Sequence, residues 1–155
     1  MARVSIMETK IGTIVVVQVM FNAPIDKIWE YWTNPGDITR WYYASDDWHT
    51  PRAENDSRTG GKFNFRTEAR DGSAGFDFWG TYTKIILNKM IECTLGDGRR
   101  VKIQFVAKDN KTVIVESFET ENENPVEMQR GGWQAILDNF KKYAEKHVKL
   151  YQNGK

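Results

Sequence analysis

A disulfide within this chain is excluded, because its 155 residues include a single cysteine, Cys93. That usage fits a reducing compartment. Cys93 falls inside the strand-like stretch 91–95 and reads as a buried, inert thiol. Histidine is almost as scarce, with only His49 and His147. A metal site normally draws on several clustered His, Cys or carboxylate ligands. Asp46, Asp47 and His49 lie close in sequence, but in a polar stretch without a ligand motif, so no metal is expected. Phosphate loops, dinucleotide fingerprints and nucleophile elbows are missing too, and no cofactor is expected. Gly96-Asp97-Gly98 reads as a turn rather than a phosphate cradle. Charge of one sign is also lacking: 22 basic against 21 acidic residues give a net +1, which argues against nucleic acid and anionic membranes as partners. The longest apolar run, residues 14–17, is far too short for stable membrane insertion. The first residues lack the charged-then-apolar pattern of a secretory signal. A cytoplasmic protein of one domain, residues 1–155, is the expectation.

Aromatic side chains are what the chain has in quantity: eight Phe, six Tyr and six Trp, 13% of the residues. Rings this large and stiff either fill a wide core or wall an apolar cavity. Their placement follows the predicted elements. Residues 13–21 are β-branched and bounded by Gly12 and Asn22, a first strand. Pro24 and Asp26 suit the start of a helix over 25–33, with Ile25, Ile28, Trp29 and Trp32 on one face. Asn34-Pro35-Gly36 stops it, and a second short helix covers about 36–41. Residues 44–60, rich in Asp, Ser, Asn, Thr and Gly, read as a long mobile loop. Strands follow over 62–68, 75–86, 89–95, 99–107 and 112–120, joined by connectors short enough to make neighbours antiparallel.

The C-terminal segment closes the pattern. Trp133, Ile136, Leu137, Phe140, Tyr143, Ala144, His147, Val148 and Tyr151 recur at helical spacing. Asn124 suits the N-cap, Pro125 the first helical position and Glu127 the capping box. Asp138 with Lys142 and Glu145 with Lys149 make i,i+4 pairs on the wet face. A lone long helix after a run of strands must lay its stripe on a sheet. The pair Gly131-Gly132 inside that helix costs roughly 1 kcal/mol per glycine relative to Ala. Either close packing or a kink explains it, or a gap that opens a cavity mouth.

At this point the motifs resemble a known superfamily. Residues 21–29 (Phe-Asn-Ala-Pro-Ile-Asp-Lys-Ile-Trp), followed by Trp32-Thr33-Asn34-Pro35 and Trp41, are similar to the opening of START-like, or helix-grip, proteins. Gly60-Gly61-Lys62-Phe63, residues 78–82 (Phe-Trp-Gly-Thr-Tyr) and residues 131–137 (Gly-Gly-Trp-Gln-Ala-Ile-Leu) resemble the branch named after the C-terminal domain of the activator of the heat-shock-protein-90 ATPase. The resemblance runs from about residue 13 to 148. It implies an α+β fold: a curved antiparallel sheet of about six strands gripping the long C-terminal helix, with two short helices after the first strand and a cavity between sheet and helix. Members of the superfamily bind lipids, sterols, hormones or polyketides there, and some catalyse cyclisation or dehydration. A chaperone partner is possible but has no further support in the sequence. The eukaryotic activator carries an additional N-terminal domain, for which a chain of this length is expected to have no room.

The cavity-wall expectation comprises Trp41 at the lid, Phe63, Phe65, Phe78, Gly80 and Tyr82 on the first strands of the sheet, Ile103, Phe105 and Val115 on the last, and Trp133, Leu137 and Phe140 on the helix. Strand alternation places Val113, Val115 and Ser117 on one face, and Gly80 reads either as space or as a bend. Glu116, Glu119, Arg66 and Glu68 are expected on the wet face, with room for one of them to point inward. His147 reads as structural. Three functions stay open: a binding module for a small hydrophobic molecule, a cyclase- or dehydratase-type enzyme using an inward carboxylate or His, and a chaperone- or stress-system interaction module. No catalytic residue is singled out.

Overall fold

The computed structural model describes residues 13–153, with side chains through Lys149, so Tyr151 of the helical stripe lies outside the described side chains. The elements run β1 (Ile14–Phe21), α1 (Ile25–Thr33), α2 (Pro35–Trp41), β2 (Trp48–Asn55), β3 (Lys62–Ala69), β4 (Gly75–Ile86), β5 (Met90–Leu95), β6 (Arg100–Lys108), β7 (Lys111–Glu119) and α3 (Val126–Asn153). All strands join one antiparallel sheet in the order β1-β7-β6-β5-β4-β3-β2. This is the expected α+β plan, with seven strands where about six were expected.

The additional strand, β2, corrects the reading of residues 44–60 as a mobile loop. Its polar composition and Pro51 hide it. An edge strand tolerates both, because only one of its sides joins the ladder. The β2–β3 register shifts between His49 and Arg52, around the proline that cannot donate. Thr50 is buried and its hydroxyl donates to the Tyr42 carbonyl, tying β2 to the end of α2.

Alternation sets the two faces of the sheet. Val15, Val17 and Phe21 of β1, Phe63 and Phe65 of β3, Val101, Ile103 and Phe105 of β6, and Ile114 and Phe118 of β7 are buried on the inner face. Burying each such side chain is worth about 1.5–3 kcal/mol. Val113 and Val115 take the outer face, because Thr112, Ile114, Glu116 and Phe118 are the buried set on β7. Val115 is therefore not a cavity wall. Two apolar β-branched residues in alternation mimic an inward set when the outer face also carries Ile14, Val16, Met20 and Val106.

Two short helices and α3 cover the inner face. Asn34 ends α1 and caps α2, its side-chain oxygen accepting from the Gly36 amide at 2.9 Å. The Trp41 indole donates to the Tyr31 carbonyl at 2.9 Å, and Asn139 of α3 donates to the Trp41 carbonyl at 2.7 Å. The start of α3 is held differently from expectation. Asn124 does not serve as the side-chain cap. The Glu121 carboxylate accepts the amides of Glu123 (2.7 Å) and Asn124 (2.9 Å), while Gln129 bridges the Glu121 amide and the Asn124 carbonyl. Glu127 instead pairs with Arg130.

The outward side chains of α3 also do more than meet water. β1 is an edge strand, and its alternate carbonyls at Val16, Gln18 and Met20 accept from Arg130, Gln134 and Lys141. Glu145 accepts the Asn22 amide at 2.8 Å and pairs with Lys141 at 3.0 Å. This ion pair replaces the expected Asp138–Lys142 and Glu145–Lys149 pairs. Covering an exposed strand edge with helix side chains removes a template for aggregation. His147 sits near the far end of α3, its Nδ1 2.9 Å from the Tyr143 carbonyl and its ring stacked on Tyr143. That is the structural role expected of it.

Candidate functional site

The space under α3 is divided. Beneath its second half, Phe140 meets Trp41, Trp32 and Phe21 at centroid distances of 4.6, 5.0 and 5.4 Å, and Trp29 meets Phe105 at 4.9 Å. Leu137 and Phe140 are completely buried there. Phe105, Leu137 and Phe140 are thus core residues, and none of them lines the chamber or the vestibule described below.

Beneath the first half a chamber of about 50 Å³ remains. Its walls include seven of the residues expected to wall a cavity: Trp41, Phe63, Phe65, Phe78, Tyr82, Ile103 and Trp133. Trp32, Tyr42, Ile91, Cys93, Val101, Glu116 and Ile136 complete it. Gly80 does not face this space. A Cβ there would lie 2.6 Å from the Thr94 carbonyl oxygen and 2.9 Å from the Phe63 ring, so the glycine admits close packing rather than making room. Gly131 and Gly132 show the opposite. A Cβ on either meets nothing within 4 Å, which removes close packing as the reason for the pair.

Above the chamber lies a more open vestibule of about 370 Å³, reached past Tyr43, Trp48, Phe76, Arg99, Met128 and Gly132. Tyr42, Phe78, Trp133 and Ile136 line both spaces and form the partition between them. Trp133 is the largest part of it, stacked on Phe118 at 4.0 Å with Phe78 edge-on at 6.1 Å. Phe76 and Met128 at the rim are 50% and 62% exposed. A larger depression of about 440 Å³ lies on the outer face of the sheet. Its charged groups are paired with one another, Arg100 donating to Glu119 at 2.7 Å and Lys102 lying 4.0 Å from Glu92.

Chemistry in the chamber centres on Glu116. Of the four charged residues expected on the wet face, three are paired: Glu119 with Arg100, and Arg66 with Glu68 at 3.0 Å. Glu116 is 6% exposed, faces the chamber, and its carboxyl has no hydrogen-bond partner among the described residues. Removal from water pushes its pKa up to about 8, so the acid is mostly protonated at neutral pH. Burial, then the nearby Glu116, pushes the Cys93 thiol up to about 12, in keeping with an inert thiol. The Tyr42 phenol is raised by burial first and by Glu116 and Cys93 next, while Arg99 acts in the opposite direction. The Tyr82 hydroxyl is spent on Asn55. No group of three or more His, Cys, Asp or Glu that would hold a metal occurs among the described residues. His49 faces Glu68 at 3.9 Å, across the β2–β3 ladder.

Sequence reasoning left room for one of four charges to point inward but did not single out Glu116, for one reason. Strand register decides which of Val115 and Glu116 points inward, and apolar character favours the wrong one. The signal that finds it is the clear inward set on the neighbouring β6, since Glu116 sits opposite Ile103.

A curved sheet gripping one long helix, with a hollow between them, defines the START-like helix-grip class. The chain belongs to the family of Activator of Hsp90 ATPase homolog 1-like proteins, whose match spans residues 22–145. It is similar to the AHSA1-like protein of Aeromonas hydrophila, at 38% identity over 86% of this chain and 94% of that one, with a TM-score of 0.78. A protein of Cytophaga hutchinsonii is 47% identical over 87% and 94% of the two chains, with a TM-score of 0.75. A Nitrosomonas europaea protein, 15% identical over 86% of this chain and 95% of its own, shares the fold at a TM-score of 0.75. No curated protein matches the chain at a significant level. Family and fold are consistent with a ligand-binding module or with one acting on the Hsp90 ATPase. No helix among the described residues is long and apolar enough to cross a membrane.

Proposed function

We propose that this protein is a binding module for a small hydrophobic molecule, held as one START-like unit between the sheet and the first half of α3. The single observation that carries this reading is the aromatic chamber, separated from a vestibule by side chains alone. Small-molecule sites usually measure about 300–1,000 Å³. The chamber at about 50 Å³ is too small for a whole lipid or sterol, whereas the vestibule at about 370 Å³ reaches that range. The ligand therefore seats its body in the vestibule and sends one end past Trp133 into the chamber. The two glycines preceding Trp133 leave open space around that turn of α3, which lets the indole shift. One buried, unpaired thiol fits work in the cytoplasm.

A thermal-shift screen of small aromatic, lipid and polyketide-like compounds, followed by native mass spectrometry, tests this reading. A raised melting temperature with a one-to-one complex, both lost in Trp133→Ala, is the expected result. Failure of every apolar compound to bind the folded protein sinks it.

An enzymatic reading has one observation in its favour, the protonated carboxyl of Glu116 facing the hollow. A cyclase or dehydratase also needs a base. The chamber walls hold no His and no second carboxylate. Binding is therefore favoured over chemistry.

A further inference from the structure

The chamber ends on an acid with nothing to bond. Glu116 lies in the middle of β7, flanked in the sheet by Val17 of β1 and Ile103 of β6. Neither neighbour offers it a donor or a charge. From β5 the group facing it is the Cys93 thiol, and from the end of α2 the Tyr42 phenol. From β4, Tyr82 is committed to Asn55. The β3 and α3 residues of the wall, Phe63, Phe65, Trp133 and Ile136, carry no titratable group. Arg99, at the vestibule, is paired with Asp97 at 2.8 Å. The Glu116 carboxyl opens onto the chamber rather than being sealed within protein, so its hydrogen bond is left to whatever occupies that space.

We propose that the site selects a neutral molecule bearing a carbonyl group, whose oxygen enters the chamber and accepts a hydrogen bond from the protonated Glu116 carboxyl. This rests on the binding reading above and specifies its ligand. A carboxyl kept neutral by apolar surroundings is a donor, which a carboxylate is not. The empty site is already in the donating form, so an acceptor binds without burying any charge. An ammonium ligand would require Glu116 to release its proton, and the vestibule it crosses carries Glu121 as well as Arg99, so the chamber rather than the approach discriminates against it. The Tyr42 hydroxyl makes no hydrogen bond among the described residues and offers a second donor to the same oxygen.

The test uses three probes of one shape: acetylnaphthalene, isopropenylnaphthalene, which replaces the carbonyl oxygen by a methylene, and the cation naphthylethylamine. Affinities are measured by calorimetry at about pH 6 and about pH 9.5, which bracket the Glu116 titration. At the lower pH the ketone is expected to bind about tenfold tighter than its methylene analogue, the yield of one well-placed hydrogen bond. At the higher pH that preference is expected to vanish. Glu116→Gln, which keeps a donor, retains the preference at both pH values, and Glu116→Ala loses it at both. Circular dichroism and denaturant midpoints confirm that each variant is folded, and the Gln variant decides the matter if the Ala variant is not. Equal binding of ketone and methylene analogue at both pH values overturns the carbonyl assignment while leaving the binding module standing. Tightest binding by the amine, rising with pH, overturns it in favour of cation recognition. Binding by none of the three overturns the carbonyl assignment, and the module falls with it only if the broader compound screen also finds no apolar ligand.

Discussion

The two halves of α3 cover the same sheet and do different things. Under the second half, Phe140 is enclosed by three other rings and the interior is full. Under the first, Trp133 stacks on one ring, and a hollow with a free carboxyl remains. The difference lies in the third layer rather than in the sheet. Trp29 and Trp32 of α1 and Trp41 of α2 fill the space beside Phe140, and α2 then ends at Trp41. Beyond it the chain turns into β2, and no further helix among the described residues supplies side chains to the first half of α3. Packing under the second half is thus the work of the short helices, whose Trp32 and Trp41 also wall the near side of the hollow.

The largest expected effect sharpens this contrast. Phe140→Ala removes a completely buried ring from the filled half and is expected to cost about 3–5 kcal/mol in denaturant unfolding. Trp133→Ala, at a half-buried position beside existing empty space, is expected to cost less than about 3 kcal/mol despite the larger deletion. Equal losses would mean that Trp133 is core, and the division of α3 into two halves would fail.

Gly80→Ala tests whether the hollow half is loosely built. Its methyl would press on the Thr94 carbonyl and the Phe63 ring, so destabilisation of about 1–3 kcal/mol is expected. A neutral result would show that the Phe63 wall yields, and the chamber would be a soft region rather than a shaped one.

Glu116 puts the same comparison on a pH axis. Its folded-state pKa of about 8 lies above the ordinary value of 4.5. The folded state therefore holds a proton that the unfolded chain has released. The contribution is fully present below about 4.5 and is lost as pH rises to about 8. The decline is at most about 1.4 kcal/mol per pH unit across that window. Urea midpoints of the wild type are expected to fall over this range relative to Glu116→Gln, which carries no titrating group there. Parallel profiles would mean that the carboxyl is better solvated than its burial indicates.

The sequence exposes the filled half well and the hollow half only partly, for a physical reason. Phe140, Leu137 and Trp29 announce themselves as inward-facing because packing on a sheet needs apolar residues at the helix period, but that period does not separate core from cavity wall, and Leu137 and Phe140 were expected at the wall. Six wall residues are also visible by their aromatic character, Phe63, Phe78 and Trp133 among them, and Ile103 by its place in an apolar alternation. Glu116 is not. Its inward direction is set by the register of β7 against β6 and β1, which depends on pairings distant in sequence. β2 escaped notice on similar grounds, since an edge strand with Pro51 carries little of the apolar alternation that marks an interior one. Edge protection by Arg130, Gln134 and Lys141 looks like an ordinary solvated face until β1 is placed beside it.

The smallest effect concerns the glycines above the hollow. Gly131→Ala and Gly132→Ala add a methyl that meets nothing within 4 Å, so no steric cost opposes the gain in helix propensity. Each is expected to stabilise the protein by about 0.5–1 kcal/mol. The two positions separate when a ligand is added. Gly132 borders the vestibule whereas Gly131 is exposed, so a stiffer backbone next to Trp133 should slow probe entry more in Gly132→Ala. Stopped-flow quenching of tryptophan fluorescence measures that rate. Slower entry at Gly132 alone marks this turn as the place where α3 yields to admit a ligand. Unchanged rates in both variants would make the glycine pair a tolerated cost, and would leave rotation of the Trp133 side chain as the sole means of passage.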